Sequence, residues 1–173
     1  MEIVEWIMGC IQSTSFAVLI NGSPSGFFIP IRAIRHGCPL SPFIFLLVAN
    51  ALSRLILKAR SEGKITGVKV SRTKEVTHTL FVDDVFLFGI GEEENLKEYA
   101  ILIKKYKKAT WMLINTEKSM LAQNNFTEDL TLKENEIIAY PTKSMSDGFK
   151  YLGFHLKPNT YTFKDWMWLY KKV

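Results

Sequence analysis

Two adjacent aspartates, Asp83 and Asp84, are the residues of this sequence whose type and spacing point most directly to chemistry. They lie between two short apolar runs rich in Phe and Val, residues 79–82 and 85–88. Such runs favour β-strands and Asp tolerates tight turns, so the sequence predicts a hairpin with both carboxylates at its turn. Carboxylate oxygens on rigid strands suit a divalent cation. An Asp pair in a hairpin turn is also common without a metal, so both interpretations stay open at this point.

The composition indicates a folded domain with a real core. The chain has 173 residues, of which 47% are hydrophobic and 23% are charged. These values fit about one globular domain and exclude a disordered or collagen-like chain. The net charge of +5 is compatible with a nucleic-acid partner but does not require one.

Cysteine and histidine usage argues against a disulfide framework and against zinc. Cys10 and Cys38 are the two cysteines, and His36, His78 and His155 lie far apart in the sequence. We therefore expect reduced thiols in an intracellular protein, in the nucleus or the cytoplasm.

We expect no membrane segment either. Residues 6–31 carry no charge, but glycines, prolines and other turn-forming residues interrupt them.

The elements that must position the carboxylates are helices mixed with antiparallel hairpins. Apolar residues at helical spacing predict helices over residues 2–14 and 92–108, and the Asn21-Gly22 pair predicts a hairpin over residues 15–31. Residues 150–156 read as one strand that contains Gly153. Further strand-like pieces are short: residues 66–70, 76–82, 85–88, 111–114, 120–122 and 137–140. This pattern predicts an α+β fold.

A third helix is predicted from about residue 43 to residue 59. Ser41 fits its N-cap and Pro42 fits its first turn, where a missing N–H costs little. Residues 43–49 are apolar on every side, so we expect this half of the helix to be buried in the core.

Four motifs in a fixed order give the chain a family resemblance. They are Pro-Leu-Ser-Pro at residues 39–42, Phe-Val-Asp-Asp at 81–84, Ile-Asn-Thr-Glu-Lys-Ser at 114–119 and Tyr-Leu-Gly at 151–153. Together they resemble the palm of a reverse transcriptase of the LINE type, a retrotransposon class without long terminal repeats. The resemblance implies an antiparallel palm-like sheet with packed helices, in which two Mg²⁺ ions support nucleotidyl transfer.

The resemblance also implies roles for individual residues. Asp83 would ligate metal with support from Asp84, and Lys118 would act as general acid for the pyrophosphate leaving group. The hairpin at Tyr151, Leu152 and Gly153 would grip the primer end. Template and nucleotide contacts would come from the loop and helix start at Arg32, Arg35, His36, Gly37, Pro39 and Ser41. The partners implied are an RNA template, a DNA primer and a deoxynucleoside triphosphate.

The sequence also departs from the family pattern. The family takes another catalytic Asp from a motif like Asp-x-x-Lys-Ala-Tyr-Asp, which these 173 residues do not contain. We therefore expect a partial palm domain over residues 1–156, with residues 157–173 as a thumb-like or connecting tail. Such a fragment would be inactive alone. The alternatives are a remnant that binds nucleic acid without catalysis, through Arg32, Arg35 and the lysine-rich end of the helix at 92–108, or a pseudogene product without a role.

Overall fold

The computed structural model describes residues 2–30, 37–124, 137–138 and 140–170. The chain divides into two compact units, Met1–Ala51 and Leu52–Val173. The long helix α2 (Leu40–Ser61) runs through this boundary, so its two halves belong to different units.

The first unit contains a helix and a hairpin, as predicted. Helix α1 spans Glu2–Gln12, and strands β1 (Leu19–Ile20) and β2 (Ser23–Pro24) pair antiparallel. The turn residues Asn21 and Gly22 have φ angles of 49° and 84°. This left-handed backbone is the one that Asn-Gly favours in two-residue hairpins. The strands are shorter than predicted, although an isolated bridge between Phe16 and Phe28 extends the pairing.

The second unit combines helices with small strand pairs. After α2 its elements are β3 (Val68–Lys69), β4 (Glu75–Val76), β5 (His78–Phe81), β6 (Asp84–Leu87), α3 (Glu93–Thr110), β7 (Leu121–Gln123), β8 (Thr142–Ser144), a 3₁₀ turn (Met145–Asp147), β9 (Phe149–Tyr151), β10 (Phe154–Leu156) and α4 (Phe163–Tyr170). β3–β4, β5–β6 and β9–β10 pair antiparallel, and β7–β8 pair in parallel. The α+β prediction is confirmed; within the described ranges the strands form separate pairs, so a continuous palm-like sheet stays a prediction.

The core lies where α2, α3 and the β5–β6 hairpin meet. Its buried side chains are Leu52, Ile56 and Ala59 from α2, Ile65 from the following loop, and Tyr99 and Leu102 from α3. Leu80 of β5 and Leu87 of β6 pack against this cluster. The hairpin that carries the aspartates therefore rests on the buried core that the described residues form.

Two predictions for α2 are wrong. The helix begins at Leu40, so Ser41 and Pro42 already lie in its first turn and Ser41 is not the N-cap. None of residues 43–49 in its apolar first half is buried, and the exposed fraction reaches 65% for Phe43 and 61% for Leu46. An all-apolar helical stretch shows that burial would be favourable, but burial also needs partner elements, and here the core forms beside the second half only.

α2 is also long and apolar enough, by length and composition alone, to cross a membrane. A core helix of a water-soluble protein passes the same test, so the observation is weak. Leu52, Ile56 and Ala59 are part of the core. The residues before them, 40–51, would extend about 18 Å at 1.5 Å per residue, less than a hydrocarbon layer of about 30 Å. The structure therefore favours a core role for the second half of α2.

Three strand predictions also need correction. Residues 150–156 are not one strand but two, β9 and β10, joined by a turn at Leu152 and Gly153. Residues 111–114 form no strand, and the chain turns out of α3 at Trp111 with a φ of 58°. Residues 137, 138 and 140 are not in a strand; β8 follows at Thr142–Ser144. Short apolar runs therefore overpredicted strands at two of these places, and at the third a turn divides the predicted strand.

Candidate active site

The two aspartates occupy the tip of the β5–β6 hairpin. Phe81 pairs with Asp84 and Leu80 pairs with Val85, so the two-residue turn consists of Val82 and Asp83. Asp84 is thus the first residue of β6, not a turn residue as the sequence suggested. Both aspartates are exposed to solvent.

The turn has an unusual backbone at Val82. Its φ is +52°, in the left-handed region, where a β-branched residue is a conformational outlier. The first central position of a two-residue hairpin turn normally requires Gly or Asn for this reason. Strained residues of this kind cluster at functional sites when the surrounding structure holds them in place.

The base of the hairpin is fixed by Tyr99 of α3. Its hydroxyl lies 3.1 Å from the carbonyl oxygen of Thr77 and 2.8 Å from that of Phe88, the residues that flank the two strands. The backbone N–H of Phe88 also donates to the Thr77 carbonyl at 2.9 Å. Burial, with a smaller contribution from the charge of Glu75, raises the pKa of Tyr99 to about 12, so the phenol stays a neutral donor. The open end of the hairpin is therefore clamped onto the core.

A second polar contact joins the hairpin to α2. The Nε2 atom of His78 lies 2.8 Å from the Ser53 hydroxyl, and its Nδ1 atom lies 3.0 Å from the Thr77 hydroxyl. Burial lowers the pKa of His78, which keeps the imidazole neutral near pH 7. Together with Tyr99, this contact makes the hairpin a rigid support for the carboxylates.

The β9–β10 hairpin packs against the β5–β6 hairpin through aromatic rings. The ring of Phe86 lies 4.6 Å from that of Tyr151, edge to face, and 6.1 Å from that of Phe149. The ring of Phe86 also stacks on the ring of Phe88, with 6.4 Å between the two centroids. The structure therefore brings together two motifs, Phe-Val-Asp-Asp and Tyr-Leu-Gly, that are far apart in the sequence.

This contact places Tyr151 in the electric field of the aspartates. Partial burial first, and then the negative charges of Asp84 and Asp83, raise the pKa of Tyr151. A phenol next to carboxylates stays protonated because its ionisation would add a third negative charge to the group. The predicted primer-gripping residue and the predicted metal ligands thus share one surface.

Lys118 belongs to the second unit. It sits in a turn held by Asn115, whose side-chain oxygen accepts hydrogen bonds from the backbone N–H groups of Glu117 and Lys118 at 3.0 and 3.2 Å. The side chain of Lys118 is exposed, and among the described residues it forms no ion pair with Asp83 or Asp84. The turn predicted for this motif is present, and the catalytic role of its lysine stays a prediction.

The predicted template and nucleotide residues are described only in part. Gly37 has a φ of +78°, and no atom of the described residues lies within 4 Å of where a side chain would begin. Pro39 immediately precedes α2, and Ser41 lies in its first turn. Arg32, Arg35 and His36 lie outside the described residues.

The acidic tip fits part of a divalent metal site. Asp83 and Asp84 supply exposed carboxylate oxygens on a braced hairpin, and hard oxygen ligands are what Mg²⁺ binds. Within the described ranges no group of three or more His, Cys, Asp and Glu side chains comes together. Ions at this tip would need additional oxygen ligands, and Mg²⁺ commonly takes these from water and substrate phosphates.

Sequence reasoning missed the residues that support the tip. Tyr99, His78 and Phe86 were assigned no functional part, although each carries a contact that places the hairpin. Phe86 had one available signal: it follows Asp84 by two residues, so in a strand both side chains lie on one face. Tyr99 and His78 offered no local signal because their partners are distant in the sequence.

The family comparison identifies the class of protein to which this α+β fold with its acidic hairpin belongs. Residues 2–156 match the family model described as "Reverse transcriptase (RNA-dependent DNA polymerase)". The match covers most of the chain, and the protein belongs to this family. Reverse transcriptases use divalent metal ions, and intact members act on a nucleic-acid template, a primer and nucleotides.

A curated relative is an uncharacterized mitochondrial protein of Arabidopsis thaliana. It is 42% identical to this chain over 67 residues, which are 38% of this chain and 55% of the relative. The chain thus spans about half the length of this relative.

Proposed function

We propose that this chain is the palm part of a LINE-type reverse transcriptase and that Asp83 and Asp84 are its metal-binding carboxylates. One observation carries the proposal: within a chain of this family, the exposed carboxylates at the β5–β6 tip lie beside Tyr151 of the β9–β10 hairpin. A polymerase must hold the metal ligands and the primer end within reach of each other. The contact between these two hairpins meets that requirement.

The chemistry that we propose is nucleotidyl transfer. Mg²⁺ ions, when bound, would stabilise the attacking 3′-hydroxyl and the leaving phosphate oxygens of an in-line displacement. Asp83 supplies metal-ligating charge and Asp84 supports it on β6, while Tyr151, Leu152 and Gly153 hold the primer end. Lys118 donates the proton to the pyrophosphate leaving group.

The remaining assignments concern the substrates. Template and nucleotide contacts are proposed for Arg32, Arg35, His36, Gly37, Pro39 and Ser41. The positive φ of Gly37 and the open space around it would let a base pair approach the backbone closely. We also keep the division into a palm part, residues 1–156, and a tail, residues 157–173, as part of this proposal.

We propose further that these 173 residues do not polymerise DNA by themselves. In the family that the motifs resemble, a further Asp completes the site for two divalent ions about 3.5–4 Å apart. The sequence has no Asp-x-x-Lys-Ala-Tyr-Asp segment to add it. Primer extension on an RNA template should therefore give no product with the wild-type chain, and synthesis that disappears in Asp83→Ala would contradict this expectation.

Metal binding tests the site itself. Free and bound Mn²⁺ can be distinguished by electron paramagnetic resonance, and we expect weak binding to the wild-type chain. Asp83→Asn should weaken this binding about tenfold or more, a change of about 1.4 kcal/mol, since one anionic ligand is lost. Asp147→Asn removes an exposed carboxylate in the 3₁₀ turn and is the matched control. Equal binding by wild type and Asp83→Asn would overturn the assignment.

A second candidate is binding of nucleic acid without catalysis. The net charge of +5 and the exposed side chains of Lys104, Lys105 and Lys108 near the end of α3 favour it. Phosphate contacts release counterions, so binding to a primer–template duplex should weaken steeply as salt rises. No binding at low salt would remove this candidate.

A further inference from the structure

The side chains of β6 divide between two environments. Val85 and Leu87 share one face of the strand, and Leu87 packs against the core. Asp84 and Phe86 share the other face, because strand side chains alternate. The ring of Phe86, which follows the carboxylate of Asp84 on this face, can therefore contact another element.

That other element is β9, and its side chains alternate in the same way. Phe149 and Tyr151 share one face of β9, and both rings contact Phe86, at 6.1 and 4.6 Å between centroids. Because Phe86 touches two residues of the same strand, it fixes the position of β9 along β6 as well as the distance between the two strands. The turn at Leu152 and Gly153 follows directly after Tyr151.

The β9–β10 hairpin is also held through its second strand. The ring of Phe154 lies 6.0 Å from that of Trp168 in α4, edge to face. Lys157 and Asp165 form an ion pair of 2.6 Å between the end of β10 and the start of α4, and both side chains are partly buried. The hairpin is thus a braced unit, and Phe86 is its ring contact with the strand that carries Asp84.

We propose that Phe86 is a positioning residue whose ring, in contact with both Phe149 and Tyr151, sets the β9–β10 turn beside the carboxylates of Asp83 and Asp84. The inference rests on the proposed function, since it explains how the primer-gripping turn and the metal-binding tip stay in register. Phe86 itself touches neither metal nor substrate. Its loss should separate the two hairpins and leave the Asp tip intact, because Tyr99, Leu80 and Leu87 hold that tip independently.

The experiment measures how close Tyr151 lies to Mn²⁺ bound at the tip. Paramagnetic Mn²⁺ broadens nuclear magnetic resonance signals steeply with proximity, and Tyr151→Phe assigns the ring signals of Tyr151 in the full 173-residue chain. In the wild-type chain we expect strong broadening that Asp83→Asn abolishes. In Phe86→Leu we expect the Mn²⁺ affinity to be unchanged and the broadening of Tyr151 to fall several-fold.

Two variants control for a general loss of packing. Phe86→Tyr keeps the ring and should restore the broadening. Phe88→Leu removes a ring that stacks on Phe86 but not on Tyr151, and it should leave the broadening as in wild type.

A functional measurement follows from the same geometry. Mn²⁺ should tighten binding of a recessed DNA primer on an RNA template several-fold in the wild-type chain, and this coupling should disappear in Phe86→Leu.

The outcomes separate the inference from the function on which it rests. Mn²⁺ binding with equal broadening of Tyr151 in wild type and Phe86→Leu would overturn the positioning role and leave the metal site standing. Mn²⁺ binding without broadening of Tyr151 in wild type would overturn it as well. No Mn²⁺ binding to the wild-type chain would overturn the proposed metal site, and the inference with it.

Discussion

At the scale of single residues, the carboxylates that we propose as metal ligands lie on a strained turn. Val82 precedes Asp83 with a φ of +52°, and Leu152 opens the neighbouring turn with a φ of +48°. For an L-residue the left-handed conformation costs roughly 1–2 kcal/mol. Val82 lies next to Asp83 and Leu152 is itself a proposed primer-gripping residue, and at such sites strain is maintained by the structure around it.

This strain leads to a stability prediction. Val82→Gly should raise the free energy of unfolding by about 0.5–1 kcal/mol, because the relief of strain exceeds the entropy that Gly costs. Urea unfolding measures the change. Val85→Gly, the same substitution three residues further on in β6, should instead destabilise by at least ~0.5 kcal/mol. Destabilisation of similar size by both variants would show that Val82 is not strained.

At the scale of elements, the β5–β6 hairpin depends on helices rather than on a large sheet. Its open end is held by the Tyr99 hydroxyl, by the His78–Ser53 contact and by Leu80 and Leu87 in the core. Isolated two-stranded hairpins are marginally stable in water, so these contacts are what keep the carboxylates in place.

The His78 contact predicts a pH dependence of stability. Burial lowers the pKa of His78 below its ordinary 6.5, so the unfolded chain takes up a proton that the folded chain resists. The contribution of His78 is fully present above about pH 6.5 and is lost progressively as the pH falls from there through the folded pKa.

Thermal unfolding between about pH 7.5 and 5.5 tests this. On acidification the melting temperature of the wild type should fall further than that of His78→Gln, which has no imidazole at this position. His155→Gln removes an imidazole from β10 and should behave like wild type. Identical pH profiles for wild type and His78→Gln would contradict the prediction.

At the scale of the whole molecule, the two units differ in how much apolar side-chain surface they bury. All residues of the core cluster belong to Leu52–Val173, whereas many large apolar side chains of Met1–Ala51 are exposed, among them Ile3, Trp6, Leu19, Phe27 and Phe43. An exposed apolar surface of this kind is typical of an interaction site or of an aggregation risk.

This contrast predicts effects of very different size on stability for two leucines of α2. Leu52 is 6% exposed and belongs to the core, whereas Leu46 is 61% exposed. Leu52→Ala should lower the free energy of unfolding by ~2–5 kcal/mol through lost burial and a cavity. Leu46→Ala should change it by less than ~0.5 kcal/mol. Denaturant unfolding of both variants measures these changes. A large loss of stability in Leu46→Ala would contradict the prediction, because it would mean that this side chain is packed against other residues.

The sequence by itself determined the features that depend on near neighbours. Helical spacing predicted α1 and α3, Asn21-Gly22 predicted a hairpin turn, and the order of four motifs led to the reverse transcriptase family, which the comparison confirms. Local propensity and periodicity act over a few residues, and so they can be read directly from the chain.

Only the tertiary structure decided which residues these elements bring together. It placed Val82 in the turn instead of Asp84, exposed the apolar start of α2, and joined Phe86 to Tyr151 across 65 positions of sequence. Strand register and burial depend on partners that are distant in the sequence, and a shift of one residue exchanges the two faces of a strand. The acidic pair was visible in the sequence, but the aromatic contact that positions a second hairpin beside it required the fold.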